Sequence, residues 1–258
     1  GGAMVMRGWD SYAYNCTFID NIASHHGGAV FMTNTSYDPT NNNTGVGLST
    51  FINNTAGYNG GAIDWAAGAT HGYIEDSIFT NNTAKRSGGA VHWSGHYGDI
   101  INSTFTNNTA TGEVISTIGG ISGGGDGGAV LWVGSHGIIS ECNFTDNHAV
   151  NRGGAIYLHG NSTENCTNIT VDACRFISNS AGINGGAVDW HDGSNEGSIY
   201  DSIFTNNTAG SNGGAVFWSG HDGVIIGSNF TNNTAEGRLV DEHGNIGDGG
   251  AIIWSGIN

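Results

Sequence analysis

A short alternation of apolar residues recurs nine times along the chain. Each copy follows a Gly-Gly-Ala tripeptide: Val, Ile or Met comes next, and a large apolar residue comes two positions later. This period of two predicts nine β-strands that each bury both residues on one face. Because the tryptophans share that face, we interpret them as core rather than as a platform for sugars. The paired positions are Met4 and Met6, Val30 and Met32, Ile63 and Trp65, Val91 and Trp93, Val130 and Trp132, Ile156 and Leu158, Val188 and Trp190, Val216 and Trp218, and Ile252 and Trp254.

The spacing of the tripeptides indicates an internal duplication. Successive copies are 26, 33, 28, 39, 26, 32, 28 and 36 residues apart, a series that nearly repeats after four intervals. We therefore expect one solenoid over residues 1–258, built from two four-turn blocks of roughly 1–126 and 127–258. Differences in turn length are expected to be absorbed by loops at 34–47, 111–126 and 238–248.

A second recurring signal is a Phe followed three residues later by Asn. An Asn at the same place in every turn can donate to the next turn and form a hydrogen-bonded ladder, and Asn tolerates the left-handed backbone of a corner. This interpretation is structural rather than catalytic. The phenylalanines are Phe18, Phe51, Phe79, Phe105, Phe144, Phe176, Phe204 and Phe230. The predicted ladder is Asn21, Asn54, Asn82, Asn108, Asn147, Asn179, Asn207 and Asn233.

A third apolar position lies ahead of most of these phenylalanines, as at Ile74 and Ile100, and gives three short strands per turn. The sequence has no 3.6-residue period and no run of tight hairpin turns, which excludes helical solenoids and β-propellers. We therefore predict an all-β fold: a right-handed, single-stranded parallel β-helix of about eight turns, each 26–39 residues long.

The combination of Gly-Gly-Ala-Ile/Val with Phe-x-x-Asn resembles the repeats of chlamydial polymorphic outer membrane proteins. The fuller pattern F-T-N-N-T-A-x-x-x-G-G-A, at 79–90 and 204–215, is similar to β-helical repeats of adhesin-like surface proteins of methanogenic archaea. The resemblance covers essentially the whole chain. It implies an extracellular, cell-surface protein with an adhesive or structural role, and its motifs specify the coil rather than the ligand.

Charge and chain ends narrow the expected partners. A net charge of −16 with only six basic residues disfavours nucleic acid, anionic lipid and acidic polysaccharide. Other cells, neutral surface glycans, proteins or cations remain. The chain opens inside a repeat and stops just after Trp254, without a signal peptide or membrane-spanning run. We therefore expect a fragment of a longer chain, not inserted in a membrane here, that can associate with copies of itself end to end or laterally.

The sequons are compatible with a glycosylated exterior, and the cysteines do not indicate a metal site. The cysteines match no zinc spacing, so buried free thiols are expected; Cys142 with Cys174, or Cys166 with Cys174, are the alternative disulfides. Glycosylation is plausible at the sequons, which otherwise serve as polar loop residues. The sequons begin at Asn15, Asn34, Asn42, Asn53, Asn81, Asn102, Asn107, Asn143, Asn161, Asn165, Asn168, Asn206, Asn229 and Asn232.

The sequence does not predict an enzyme. Glycoside hydrolysis needs two carboxylates roughly 5–10 Å apart, whereas the outward Asp64 and Asp189 are four turns, or about 19 Å, apart. Asp64 and His92 do fall on adjacent turns, but Asp189 is faced by Phe217 and the chain is poor in Arg, a usual lyase base. We expect no cofactor; the glycine-rich stretch 123–127, with its single Asp126, is only a weak calcium signal.

The outward residue between each pair of core positions is often large and apolar, which is typical of a contact surface unless loops cover it. The predicted contact strip is Phe31, Leu131, Tyr157, Phe217 and Ile253. The expected function is non-catalytic, adhesin-like attachment to cells, glycans or surfaces. A structural stalk or self-assembling extracellular filament is the alternative, and a polysaccharide-cleaving β-helix enzyme is a further one.

Overall fold

The computed structural model describes residues 1–8, 10–33, 44–113, 124–160, 166–191, 193–237 and 249–256. Over these ranges the chain forms 33 short strands and no helix, and every strand pairing is parallel. Each turn contributes one strand to each of four sheets, which we call A, B, C and D in chain order. Eight full turns and a ninth strand in sheet A confirm the predicted parallel β-helix of about eight turns.

The strands are short and evenly distributed among the sheets. Sheet A contains Met4–Arg7, Val30–Thr33, Ile63–Trp65, Val91–Trp93, Val130–Trp132, Ile156–Leu158, Val188–Trp190, Val216–Trp218 and Ile252–Trp254. Sheet B contains Tyr12–Tyr14, Gly45–Gly47, Tyr73–Glu75, Asp99–Ile101, Ile138–Ser140, Thr170–Asp172, Ser198–Tyr200 and Val224–Ile226. Sheet C contains Thr17–Ile19, Thr50–Ile52, Ile78–Thr80, Thr104–Thr106, Asn143–Thr145, Arg175–Ile177, Ile203–Thr205 and Asn229–Thr231. Sheet D contains Ile22–Ala23, Thr55–Ala56, Thr83–Ala84, Thr109–Ala110, His148–Ala149, Ser180–Ala181, Thr208–Ala209 and Thr234–Ala235.

Sheet D is the element that the apolar pattern does not predict. Its strands are two residues long, and only the second residue, always Ala, points into the helix, as the buried Ala84 and Ala110 show. A single inward residue has no period, so the strand cannot be recognised from alternation. The three predicted strands per turn correspond to sheets A, B and C, and sheet D adds a short fourth side.

Each corner within the described ranges places at least one residue in the left-handed region. At the corner between sheets C and D, these residues have φ between 53° and 56° and immediately precede the ladder asparagines. The expectation that the ladder Asn itself is left-handed is therefore wrong: the neighbouring residue turns the backbone, which leaves the ladder carboxamide pointing inward. The left-handed residues are Asp20, Asn53, Asn81, Asn107, Asp146, Ser178, Asn206 and Asn232.

The ladder carboxamides satisfy their full hydrogen-bonding capacity between turns, as Asn108 illustrates. Its Nδ2 donates to Oδ1 of Asn147 and to the backbone oxygen of Phe79, each at 3.0 Å. Its Oδ1 accepts from both Nδ2 and the backbone N–H of Asn82, at 3.0 Å each. Direct Nδ2-to-Oδ1 bonds of 2.8–3.0 Å link all eight predicted ladder residues from Asn21 to Asn233.

Aromatic columns fill the space between the sheets. The eight phenylalanine rings of sheet C stack with centroids 4.7–4.9 Å apart. The tryptophans of sheet A stack in two runs, at 4.2–4.9 Å, separated by Leu158. Trp65, Trp93, Trp132, Trp190 and Trp218 are fully buried, which places them in the core as expected.

The two glycines of the Gly-Gly-Ala tripeptide have different structural roles. Gly88 has φ +68°, a conformation that costs an L-residue with a side chain about 1–2 kcal/mol. Gly89 has no such φ, but a Cβ there would lie 1.9 Å from the backbone oxygen of Gly128 on the next turn. The first glycine therefore turns the chain, and the second lets adjacent turns approach closely.

We predict that Asn108→Ala destabilises the protein by about 2–4 kcal/mol, because it removes four hydrogen bonds and leaves buried partner groups unsatisfied. The measurement is equilibrium urea unfolding followed by tryptophan fluorescence. Asn107→Gly is the matched control, because Asn107 is exposed and its φ of 55° suits glycine. Equal destabilisation by the two substitutions would show that the ladder contributes nothing specific.

Candidate binding cleft on sheet A

The predicted contact strip is not a continuous exposed surface. Leu131 is 9% exposed and Tyr157 is 5% exposed, while Phe31, Phe217 and Ile253 are partly buried. Turn residues on both sides of sheet A, such as Asn151 and His159, line one recess together with the outward side chains. Coverage by turns is the alternative that the sequence left open, and contact through the strip stays a prediction.

A cleft of about 680 Å³ lies above the middle turns of sheet A. His92, Leu131 and Tyr157, outward residues of the sheet, form its floor. The lining residues that come just before the strands include Arg86, Ser87, Asp126, Asn151 and Arg152. Those that come just after the strands include Ser94, Val133, His159 and His191. Most of the lining residues are therefore polar, although polar and apolar atoms contribute nearly equal exposed surface to the cleft.

The cleft contains two of the chain's few basic side chains, with the carboxyl group of Asp126 beside them. Arg86 and Arg152 are two of only six Lys and Arg residues in a chain of net charge −16, and both line the cleft. Arg86 donates to the Tyr58 hydroxyl at 2.8 Å, with its guanidinium 4.7 Å from the same ring centroid. Arg152 donates from Nη1 to Nε2 of His191 at 3.1 Å. Both guanidinium groups are thus held in place by neighbouring side chains.

Asp189 lies beside this cleft as a buried carboxylate. It is 0% exposed, and neither of its oxygens has a hydrogen-bond partner among the described residues. Nδ1 of His191 is 3.8 Å from Oδ1, too far for a hydrogen bond. Burial raises the pKa of Asp189 well above its ordinary value, a rise that Asp126 increases and the Arg152 charge opposes.

Asp64, one block earlier, has the opposite environment. His26 Nδ1 lies 2.6 Å from one carboxylate oxygen, and His92 Nδ1 lies 3.1 Å from the other. Burial alone would raise the pKa of Asp64, but His92 and His26 together hold it below its ordinary value. The sequence placed Asp64 and His92 on adjacent turns, and the structure adds His26 from the preceding turn.

The two carboxylates occupy equivalent positions of the two predicted four-turn blocks. Both are the central residue of a sheet A strand that follows Gly-Gly-Ala. On the next strand, His92 pairs with Asp64 in register, whereas Phe217 pairs with Asp189. The position of His26, immediately before its Gly-Gly-Ala, is taken by Arg152 in the second block. The inward columns are shared by the blocks, and the outward residues differ.

Most predicted glycosylation sites lie on the surface. Within the described ranges, Asn143 is half-buried and the other sequon asparagines are exposed. Asn34, Asn42, Asn161 and Asn165 lie outside the described residues. Glycosylation stays a prediction at all fourteen sequons. The exposed ones are Asn15, Asn53, Asn81, Asn102, Asn107, Asn168, Asn206, Asn229 and Asn232.

The four cysteines are free thiols. Cys142 and Cys174 are buried, and with the half-buried Cys16 they share a column with serines that bond adjacent turns, as Ser77 N–H does to Oγ of Ser103 at 3.2 Å. Burial raises the pKa of Cys142 well above its ordinary value and that of Cys166 to about 12, so neither is a ready nucleophile. The sequence identified the shared position but not this second ladder.

The described part of the chain gives little support for the calcium site suggested by the glycine-rich stretch 123–127. No group of three or more His, Cys, Asp or Glu residues there could hold a metal ion. Asp126 is the one acidic residue of the glycine-rich stretch 123–127. Burial raises its pKa, and the nearby charges of Arg152 and Arg86 oppose that rise. Calcium binding stays a prediction, and position 123 lies outside the described residues.

Fold and cleft together define a parallel β-helical repeat protein with a cleft on one sheet face. Five segments match the Chlamydia polymorphic membrane protein repeat: 15–33, 49–64, 76–92, 141–159 and 201–217. The chain therefore contains repeats of this type, which confirms the resemblance; the matched segments make up about one third of its length. No curated protein and no solved structure matches the chain. Within the described ranges, no helix has the length and apolar character to cross a membrane.

Asp64 and Asp189 lead to a prediction of opposite pH effects on stability. The lowered pKa of Asp64 means that its carboxylate stabilises the fold above the unfolded value of 3.8, an effect lost as pH falls through the folded pKa. The raised pKa of Asp189 means that ionisation disfavours the fold as pH rises through that pKa. At neutral pH we expect Asp64→Asn to lower the Tm by roughly 2–4 °C and Asp189→Asn to raise it by a similar amount.

Thermal unfolding by circular dichroism at about pH 7 and pH 3.5 measures both effects. Each variant should differ less from the wild type at the lower pH, because both carboxylates then approach or enter their protonated forms. Shifts of the same sign for the two variants at neutral pH would contradict the contrast between their environments.

Proposed function

We propose that this chain is part of an adhesin-like protein of the cell surface, and that it binds neutral glycans in the sheet A cleft. The observation that carries this proposal is the cleft itself, a fixed polar recess on an otherwise repetitive coil. The repeats of Chlamydia polymorphic membrane protein type support an extracellular, surface location.

The rigidity of the coil supports a display role. Backbone hydrogen bonds, carboxamide bonds and stacked rings connect every described turn to the next, so outward side chains are held in place by a stiff support. A preorganised surface loses little conformational entropy when it binds a ligand. A preorganised binding surface of this kind suits a protein that attaches to other molecules.

The polar lining favours a ligand rich in hydroxyl groups. Arg86 and Asn151 can donate hydrogen bonds and Asp126 can accept them, the complementary set that sugar hydroxyls require. Five of the stacked tryptophans, Trp65, Trp93, Trp132, Trp190 and Trp218, offer no ring face to a sugar, because they are fully buried inside the coil. The net charge of −16 disfavours acidic polysaccharides, which leaves neutral glycans as the proposed class.

The test is binding of the 258-residue protein to an array of neutral glycans, followed by titration of each positive glycan. Arg86→Gln should weaken binding by about tenfold or more, since a hydrogen bond from a charged group contributes roughly 1.5–3 kcal/mol. Arg175→Gln is the matched control: it removes the same charge from an exposed residue of sheet C.

Equal binding by both variants would place the ligand elsewhere on the molecule. Absence of glycan binding, with continuous filaments in negatively stained electron micrographs, would replace adhesion by the structural stalk or filament alternative. Binding that saturates, without filaments, would support the adhesin.

A further inference from the structure

A hydroxyl, an imidazole and a carboxylate lie in line at the cleft. Oγ of Ser94 is 3.2 Å from Nε2 of His92, and Nδ1 of the same ring is 3.1 Å from Oδ1 of Asp64. His92 and Ser94 alternate with the buried Trp93 and therefore share the outward face. Asp64 reaches them from the preceding turn, paired in register with His92.

The arrangement fixes the protonation pattern of the imidazole. Asp64 stays ionised, and an ionised carboxylate only accepts hydrogen bonds, so His92 must donate to it from Nδ1. Nε2 of the neutral ring is then the acceptor that faces the Ser94 hydroxyl. His26 donates to the other carboxylate oxygen and keeps Asp64 from rotating away. This is the orientation that a general base requires.

The hydroxyl is accessible to a ligand. Ser94 and His92 both line the 680 Å³ cleft, whereas the carboxylate side chain of Asp64 is only 4% exposed beneath them. The backbone N–H groups of Gly95 and His96 follow Ser94 in the turn and donate to no described residue. They are candidate donors to an oxyanion that forms next to Ser94.

We propose that Ser94, His92 and Asp64 form a hydrolytic site that cleaves a carboxylic ester bound in the sheet A cleft. Ser94 is the nucleophile, His92 is the general base and acid, and Asp64 and His26 are positioning residues. This goes beyond attachment: the same cleft would remove an acyl group from the molecule it holds.

The reaction is balanced with water as the second reactant. The Ser94 oxygen forms a bond to the ester carbonyl carbon while its proton passes to Nε2 of His92. The bond from that carbon to the alcohol oxygen then breaks, and the alcohol leaves with the His92 proton. Water attacks the acyl-serine, gives one proton to His92, and releases the acid as the proton returns to Ser94.

The distance that excludes glycoside hydrolysis does not exclude acyl transfer. That argument required two nearby carboxylates, and Asp64 and Asp189 remain too far apart for the task. A serine nucleophile needs one base and one orienting carboxylate, and these are supplied by two neighbouring turns. The sequence alone gave no reason to link Ser94 with His92. Residues two positions apart share a face in every strand, so this spacing does not distinguish a functional pair.

The second block supplies a built-in control. Ser219 follows Trp218 as Ser94 follows Trp93, but Phe217 takes the position of His92, so no imidazole lies two residues before Ser219 on its own strand. The fold therefore accepts Phe at the histidine position. Ala66, on the turn before Ser94, occupies the corresponding position after its strand, which shows that Ala fits there as well.

The experiment treats the folded 258-residue protein with a fluorophosphonate probe, which reacts with activated serines, and locates the label by peptide mass spectrometry. We expect one label, on Ser94, none on Ser94→Ala, and labelling about 100-fold slower for His92→Phe. Ser219→Ala should label at the wild-type rate. Hydrolysis of p-nitrophenyl acetate should follow the same order.

A separate readout distinguishes positioning from mere stabilisation by Asp64. Imidazole nitrogen NMR should show His92 protonated at Nδ1 in the wild type and shifted towards Nε2–H in Asp64→Asn, with slower labelling. A variant that only lowers the Tm, without change in tautomer or labelling rate, would show that Asp64 is structural.

Failure of the site is distinguishable from failure of the adhesin. No label on folded wild-type protein, or equal labelling of wild type and Ser94→Ala, would overturn the hydrolytic site and leave glycan binding untouched. Specific labelling of Ser94 without glycan binding would retain the site and remove the proposed attachment function.

Discussion

Parallel pairing of successive turns, at a spacing of about 4.8 Å, is the constraint on which this structure depends. Each inward side chain must fit directly against its counterpart on the next turn. Phenyl rings stacked at 4.7–4.9 Å meet this spacing, and carboxamides bonded at 2.8–3.0 Å meet it as a continuous chain. A residue of different shape in such a column would leave both neighbours unsatisfied, so the columns repeat the same few residue types.

This repetition explains why the inner architecture could be predicted from the sequence. Phe79 and Trp93 belong to columns whose members recur at fixed offsets, so their burial followed from alternation alone. Sheet D escaped prediction because its one inward residue, such as Ala84, has no partner with which to form a period. The left-handed corner was assigned to Asn82 instead of Asn81 because both are asparagines, and only the backbone decides between them.

The outward residues of sheet A do not recur in this way from turn to turn. The candidate site that they form was therefore harder to predict. Asp64, His92, Leu131 and Tyr157 occupy one outward column without any shared chemistry. The sequence showed that the residue type in this column varies. It also placed Asp64 next to His92, because the two residues have the same position in successive repeats. The approach of Arg152 to His191 did not, because it depends on the paths of two turns of unequal length.

The duplicated carboxylates show how a solenoid separates folding from function. Phe31, Leu131 and Phe217 occupy the same outward column as Asp64 and Asp189, so the coil itself does not require an acid there. What each carboxylate does is set by its neighbours: two histidines keep Asp64 ionised, whereas Asp189 is buried without a hydrogen bond among the described residues. Asp64 is thus an acid at a position where the coil also accepts Phe and Leu, and its place beside an imidazole and an accessible hydroxyl is the arrangement on which the proposed hydrolytic site rests.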